Sequence, residues 1–523
     1  MAALADKGTL VFRPYYPQSG RGPHLLDWAY CTDTAWDSFP SNIAATKDGV
    51  TISDTEGRDA FGINVRWNVE GFGYIFITAD NAGEFYRLPA SGTRTLNLAF
   101  ELLASRVARN AKRLAMHRAK GWTPSREVQA YVALSEGYQE DARKAEADGE
   151  RCAALSQTGL TYAMWVSEKI ELEAARHAIA ARGFRKGFYT GCDARGYFQM
   201  DVELFLEIFP QLFNYATITY YLKAGVFEDF EPVEGQKQFA LRDALFAELK
   251  KRNIVVEGRP LWWSYKTTTP DWLRGKSYDQ VRTYLEKHVK AVVGHYGDGM
   301  YAWEVVNEFH DWANECRLKP DQIIELTRLA CDVARDTAPK VKRLINNCAP
   351  FAEYVQLRKM TELDAFYPQR TPYQFVRQLK EAGVDFDITG IQMYFPYRDL
   401  ADTLILIEKF EGIGKTIQLT EVGASSGPSE DSIRTGKLPL SFEPYIWHRQ
   451  WDDENQADWM EGLYTLAYSR PLIEAVNWYD FVDPYSWIPS GGFLRSPKGE
   501  KKPVIDRFMK MHNEWKELGA KAK

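Results

Sequence analysis

The run Tyr301-Ala302-Trp303-Glu304-Val305-Val306-Asn307-Glu308 is apolar almost to its end and then closes on an amide and a carboxylate. A second run, Thr416-Ile417-Gln418-Leu419-Thr420-Glu421-Val422-Gly423, alternates apolar and polar residues until it too reaches a carboxylate. Short runs of this kind, bounded by turn residues, read as strands. Working outward, six more such runs occupy 186–191, 213–220, 254–263, 343–348, 386–394 and 474–481. Amphipathic stretches at 239–252, 277–294, 320–337, 373–382, 400–410 and 453–468 separate them and carry a helical period. Strand and helix in strict alternation predict a parallel sheet, and eight repeats predict its closure into a (β/α)8 TIM barrel over 184–523.

The sequence before the barrel has two other textures. Residues 1–95 alternate, as in Gly62-Ile63-Asn64-Val65-Arg66-Trp67 and Tyr74-Ile75-Phe76-Ile77-Thr78, with turn signals at Asp48-Gly49 and Glu70-Gly71. That pattern predicts hairpins and a small β-sandwich. Residues 96–183 turn helical, with a break at Gly121 and Pro124 and a fresh helix start at Ser125 and Glu127. Tyr162, Met164, Trp165, Ile170, Leu172 and Ile179 read as packing residues of that connector, which predicts a rigid brace more than a tether. The sandwich is open to two readings: a carbohydrate-binding module using Trp28, Trp36, Trp67 and Tyr74, or an accessory layer with those rings in its core.

In a barrel of this kind the site lies at the carboxyl ends of the strands. Glu308 and Glu421 then enter one mouth from the fourth and seventh strands. Glycoside hydrolysis needs that pair, an acid for the leaving oxygen and a carboxylate on the other face of the sugar. One Glu at a strand end reads as a solvated or salt-bridged loop residue; two, one of them preceded by Asn, read as a catalytic pair.

Composition fits a folded protein: 523 residues, 45% hydrophobic and 26% charged. A net charge of −6 gives nucleic acid no electrostatic attraction. No apolar run approaches the roughly 20 residues of a membrane span. The aromatic share of 14% suits sugar stacking and suits an aromatic core equally. Six cysteines without a CxxC pair predict buried free thiols. No His and carboxylate cluster has metal spacing, and neither a phosphate loop nor a Ser elbow occurs, so no metal and no cofactor is expected. His310 reads as a surface loop residue. A monomer acting on a polysaccharide or oligosaccharide is expected. Ala3-Leu4-Ala5 is similar to the tail of an export signal, which makes secretion the expectation and the cytoplasm the alternative.

The same residues carry a resemblance. Trp303 to Glu308 resembles the W-D-V-V-N-E signature of glycoside hydrolase family 10, the xylanase family, with Glu304 in place of Asp. Asn214 and Lys223 are similar to its second-strand segment; Gly258, Leu261 and Trp263 to its third; Pro270 and Trp272 to the P-x-W that follows; Gly390 and Gln392 to its sixth. Trp478, Asp483, Ser486 and Trp487 resemble its eighth-strand motif, with Tyr479 where that motif has Gly. The resemblance implies retention of configuration, with Glu308 as acid/base and Glu421 as nucleophile. It also implies Asn307 and Gln392 beside the reacting sugar, Lys223 as a substrate contact, and Trp263, Trp478 and Trp487 as cleft walls.

The sequence departs from the family pattern at five further places. Thr219 and Tyr220 stand where the family has Glu-Asn, Arg259 and Ser264 where it has two His, and Tyr394 where it has the His that holds the nucleophile. A Tyr hydroxyl can donate the same hydrogen bond. Arg259 has two readings, a contact for an acidic sugar substituent or a partner for a nearby carboxylate, the second favoured. An endo-β-1,4-xylanase is the expected activity. Another β-glycan as substrate and a non-catalytic carbohydrate-binding barrel are the alternatives, the pair Glu308 and Glu421 standing against the last.

Overall fold

The computed structural model describes residues 8–15, 29–46, 48–224, 228–357, 359–360, 363–395, 397–427 and 446–521. Eight strands form the N-terminal layers: β1 Thr9–Arg13, β2 Ala29–Thr32, β3 Ser38–Phe39, β4 Asn42–Thr46, β5 Gly49–Asp54, β6 Gly62–Val69, β7 Gly73–Ala79 and β8 Thr93–Asn97. They make two four-stranded sheets, ordered β4-β5-β1-β8 and β3-β2-β6-β7. Both turn signals sit in hairpins, β4–β5 around Asp48-Gly49 and β6–β7 around Glu70-Gly71. Alternation sets the faces: Ile63, Val65 and Trp67 of β6 are fully buried with Leu10, Phe12, Val50 and Ile52 of the other sheet. Trp67 is therefore core. Trp28 lies outside the described residues.

Three helices follow: α1 Leu98–Ala119, α2 Arg126–Lys144 and α3 Gly149–Arg182. Ser125 caps α2, its hydroxyl accepting from the Val128 N–H (3.2 Å), and Asp148 caps α3 at Arg151 (3.1 Å). Those caps divide the 126–182 stretch into two helices. Met164, Ile170 and Ile179 are buried along α3.

The barrel strands are β9 Tyr189–Asp193, β10 Tyr215–Thr219, β11 Val255–Arg259, β12 Ala302–Asn307 and β13 Lys342–Asn347. After a two-residue hairpin (β14 Lys359–Met360, β15 Leu363–Asp364) come β16 Ile388–Tyr394 and β17 Thr416–Gly423. A second small hairpin (β18 Ile446–Trp447, β19 Arg449–Gln450) precedes β20 Ile473–Trp478, which closes the barrel onto β9. All eight barrel strands pair in parallel, and each overlaps a run read from the sequence. Gly258 is required by a close approach: a Cβ there would stand 2.0 Å from the Trp303 ring.

The N-terminal layers dock on the segment that follows β16. The Phe76 N–H of β7 donates to the Tyr397 carbonyl (2.9 Å). Arg106 of α1, fully buried, pairs with Asp399 and Asp402 (both 2.8 Å). Asp37 holds Lys409 (2.7 Å), and Glu168 of α3 accepts from the Leu400 N–H (2.7 Å). One apolar core runs through sheets, α1, α3 and barrel, so the connector is a packed brace. The described cysteines are all free, five buried and Cys316 half-buried. Among the described residues, no helix is long and apolar enough to cross a membrane, and no group of three or more His, Cys, Asp or Glu could hold a metal.

Candidate active site

Both carboxylate strands are irregular just before their carboxylates. The β12–β13 register slips between Glu304 and Val306, and the β16–β17 register slips so that Leu419 faces Ile391 while Glu421 faces Gln392. Thr420 is the extra residue of a β-bulge, which breaks the two-residue alternation. The consecutive side chains of Thr420 and Glu421 consequently both reach Asn346, at 2.6 and 3.2 Å. A regular strand would send one of them to the other face. Glu308, one residue past β12, has φ +54°, a left-handed conformation uncommon for a residue with a Cβ.

The two carboxylates have different neighbours. Glu308 is 8% exposed, accepting from the Gln392 amide (2.9 Å) and from the Trp263 indole N–H (2.9 Å). Burial pushes its pKa up to about 7, and the charge of Glu421 adds to the rise. Glu421 is 5% exposed and ringed by donors: the Arg259 guanidinium and the Asn346 amide on one oxygen, the Tyr394 hydroxyl on the other. Gln392 also reaches Asn307 (3.3 Å), so β12, β16 and β17 converge on one point.

Beneath this point lies a buried ionic layer. Arg259 is 1% exposed and spans Glu304 (3.2 Å) and Glu421. Asn346 repeats the span, donating to Glu304 (3.0 Å) as well. Glu304, a longer side chain than the family's Asp, is held well above the usual carboxylate range by its burial, against the pull of Arg259. Arg259 is thus a partner of carboxylates, and a contact with an acidic sugar substituent is overturned by its burial.

The other expected site residues divide. Trp263 is half-buried, stacked on Tyr265 (5.4 Å), and Trp487 is 51% exposed with its backbone N–H on Asp480 (2.7 Å). Lys223 is half-buried beyond β10 and makes no ion pair among the described residues. Trp478 is fully buried, its indole donating to the Gly491 carbonyl (2.7 Å) and packing on Phe493; it is core, not a cleft wall. His310 is also fully buried, and burial pulls its pKa down to about 3, so it is no surface loop residue. Thr219 bonds Asp193 (3.2 Å), Tyr220 packs edge-on to Trp303, and Ser264 donates to the Ala313 carbonyl (3.1 Å); all three are buried structural residues.

Two features escaped the sequence reading. Asn346 ends the fifth apolar run with Asn347, the same signal that marked Glu308, and went unread. The Tyr221 and Tyr479 hydroxyls meet at 3.2 Å, and Arg195 ties Asp193 (2.8 Å) to Asp480 across the first and eighth strands. No local pattern announces a contact between residues so far apart in the chain.

A closed parallel barrel with two buried carboxylates at the ends of its fourth and seventh strands defines a glycosidase of the barrel class. The family model for glycosyl hydrolase family 10 matches residues 185–510, more than half of the chain, and the chain belongs to that family. Similar proteins include endo-1,4-beta-xylanase B of Thermotoga neapolitana, 26% identical over 322 residues, covering 58% of this chain and 79% of that one. The beta-1,4-xylanase of Dictyoglomus thermophilum is 26% identical over 271 residues, 50% of this chain and 67% of that one. Among solved structures, native xylanase 10B from Thermotoga maritima aligns with TM-score 0.49 at 19% identity, covering 66% of this chain and 98% of that one.

Proposed function

We propose that this protein is a retaining endo-β-1,4-xylanase in which Glu308 is the acid/base and Glu421 the nucleophile. The observation that carries the reading is the contrast between the two carboxyls. Glu308 accepts from two neutral groups, Gln392 and Trp263, and burial raises its pKa to about 7, the state of an acid that still holds its proton near neutrality. Glu421 faces only donors, which suits an ionised carboxylate that accepts and does not donate. Glu308 protonates the glycosidic oxygen as the bond from C1 breaks, and Glu421 forms an ester with C1. Glu308, now a carboxylate, then takes a proton from the water that cleaves the ester. In this reading Gln392 and Asn307 bond the sugar 2-hydroxyl, and Trp263 forms a wall of the cleft. The named activities of the similar proteins support xylan as substrate.

The test is release of reducing ends from xylan with the anomeric product followed by proton NMR. The β-anomer appearing first supports retention; the α-anomer first would overturn it. Azide should rescue Glu421→Ala and yield an inverted glycosyl azide. A second reading, another β-linked glycan, is favoured by the replacement of the family's Glu-Asn by Thr219 and Tyr220, which bond and pack within the barrel. Parallel assays on xylan, mixed-linkage glucan and mannan separate the two.

A further inference from the structure

The outward face of the sheet β3-β2-β6-β7 is polar by pattern yet is not left to water. Tyr30, Asn64 and Thr78 are direct partners across β2, β6 and β7, facing away from the sandwich core. The barrel helix Leu400–Glu411 and Phe351 cover them and leave a cavity of about 370 Å³. That lies within the roughly 300–1,000 Å³ of small-molecule sites. Thr32, Asn64 and Thr78 line it, each only 3% exposed. The Asn64 carbonyl accepts from Thr78 (2.6 Å), and one amide hydrogen reaches Thr32 (3.4 Å). Its second amide hydrogen has no partner among the described residues.

An indole stands at the lip. The Asp33 carboxylate accepts from the N–H groups of Ala35 (2.8 Å) and Asp37 (3.0 Å), building the β2–β3 turn. Within that turn Trp36 has φ +60°, a conformation that bulky residues rarely hold. Strain kept at a large aromatic beside a cavity points to a use for the ring. Arg109 lies 4.2 Å from the ring centroid.

The chemistry on offer selects the guest. Every charged group of the wall is already paired: Asp402 with Arg106 and Arg109, Glu408 with Arg113 and Arg470, Lys409 with Asp37. An ion would find no free counter-charge, and an apolar ligand would strand the polar floor. What remains is an indole, the hydroxyls of Thr32, Thr34 and Thr78 and an amide N–H, a match for a pyranose with its flat C–H face and its ring of hydroxyls.

We propose that this recess between accessory sheet and barrel is a second saccharide site, taking a neutral mono- or disaccharide unit apart from the pair Glu308 and Glu421. It does not depend on which glycan the enzyme cleaves. The test is calorimetric titration of the whole chain carrying Glu308→Gln, which slows turnover by orders of magnitude, with xylobiose, cellobiose and mannobiose in turn. Two binding events are expected for at least one sugar. Adding Trp36→Ala should weaken one event about tenfold or more. Adding Ala35→Trp, which fills the lip from an exposed position, should abolish the same event and leave the other. A crystal soaked with that sugar should show density over Asn64. One event only with every sugar, or two events indifferent to both lip substitutions, overturns the proposal. Absence of xylan hydrolysis by the wild-type enzyme would overturn the functional reading alone.

Discussion

Glu308 carries a pH signature with a definite sign. Its folded pKa of about 7 stands above the ordinary 4.5 because of burial and the neighbouring Glu421. Below about pH 4.5 both folded and unfolded forms hold the proton, and the group leaves stability unchanged. As pH rises toward 7 the unfolded chain loses its proton first, so stability falls, and above 7 the full cost is felt. Glu308→Gln is therefore expected to raise Tm more at pH 8 than at pH 5, measured by calorimetry. The same substitution should lower kcat/KM on xylan by about 10²–10⁴-fold. In the wild type, kcat/KM should decline above about pH 7 as the acid loses its proton. Arg259→Met leaves Glu304 and Glu421 buried without their cation, which should cost about 3–5 kcal/mol in denaturant unfolding. Arg259→Lys restores the charge but cannot span both carboxylates as the planar fork does, so stability should recover further than activity. At this scale the sequence was a good guide to Glu308 and Glu421, because a polar end to an apolar strand is a local signal. It misplaced Trp478 and His310, because the burial of a ring depends on what other elements lay over it.

The elements divide in the same way. Every barrel strand announced itself through a short apolar run, and six of the helices between them through their period, while the helix Val202–Leu212 between the first two strands went unread; Ser125 even marked its own cap. The bulge at Thr420 had no such announcement. It exists as a mismatch of register between β17 and its neighbours β16 and β20, segments that are not adjacent in the chain. It lets Glu421 and Thr420 share Asn346. Thr420→Val, which removes only the hydroxyl, is expected to reduce kcat with little change in KM, because it frees the amide that steadies Glu421. An equal change in both would argue against that role. Gly258→Ala is a test of the barrel interior. With the Trp303 ring 2.0 Å from the new methyl, the variant should lose at least the roughly 1–3 kcal/mol of an overpacked core.

On the scale of the whole molecule, the sandwich, the helical brace and the barrel share one core and a buried ionic seam at Arg106, Asp399 and Asp402. They are expected to melt in a single calorimetric transition. Arg106→Leu, stranding two buried carboxylates, should either lower that transition by several degrees or split it; two transitions in the wild type would show that the layers fold separately. Composition and pattern revealed three textures in the chain but not this seam, because its partners lie nearly three hundred residues apart.

The seam begins five residues after Tyr394, whose hydroxyl steadies Glu421, and Tyr397 between them is the residue on which β7 docks. A detachable binding module can be lost, duplicated or exchanged without touching its neighbour's chemistry. Here the segment that carries Tyr394, a hydrogen-bond partner of Glu421, is tied through a few peptide units to layers outside the family-matched region. Exchange of these layers is accordingly expected to disturb the segment carrying Tyr394 along with the seam, and a barrel grafted onto another partner to need that segment rebuilt.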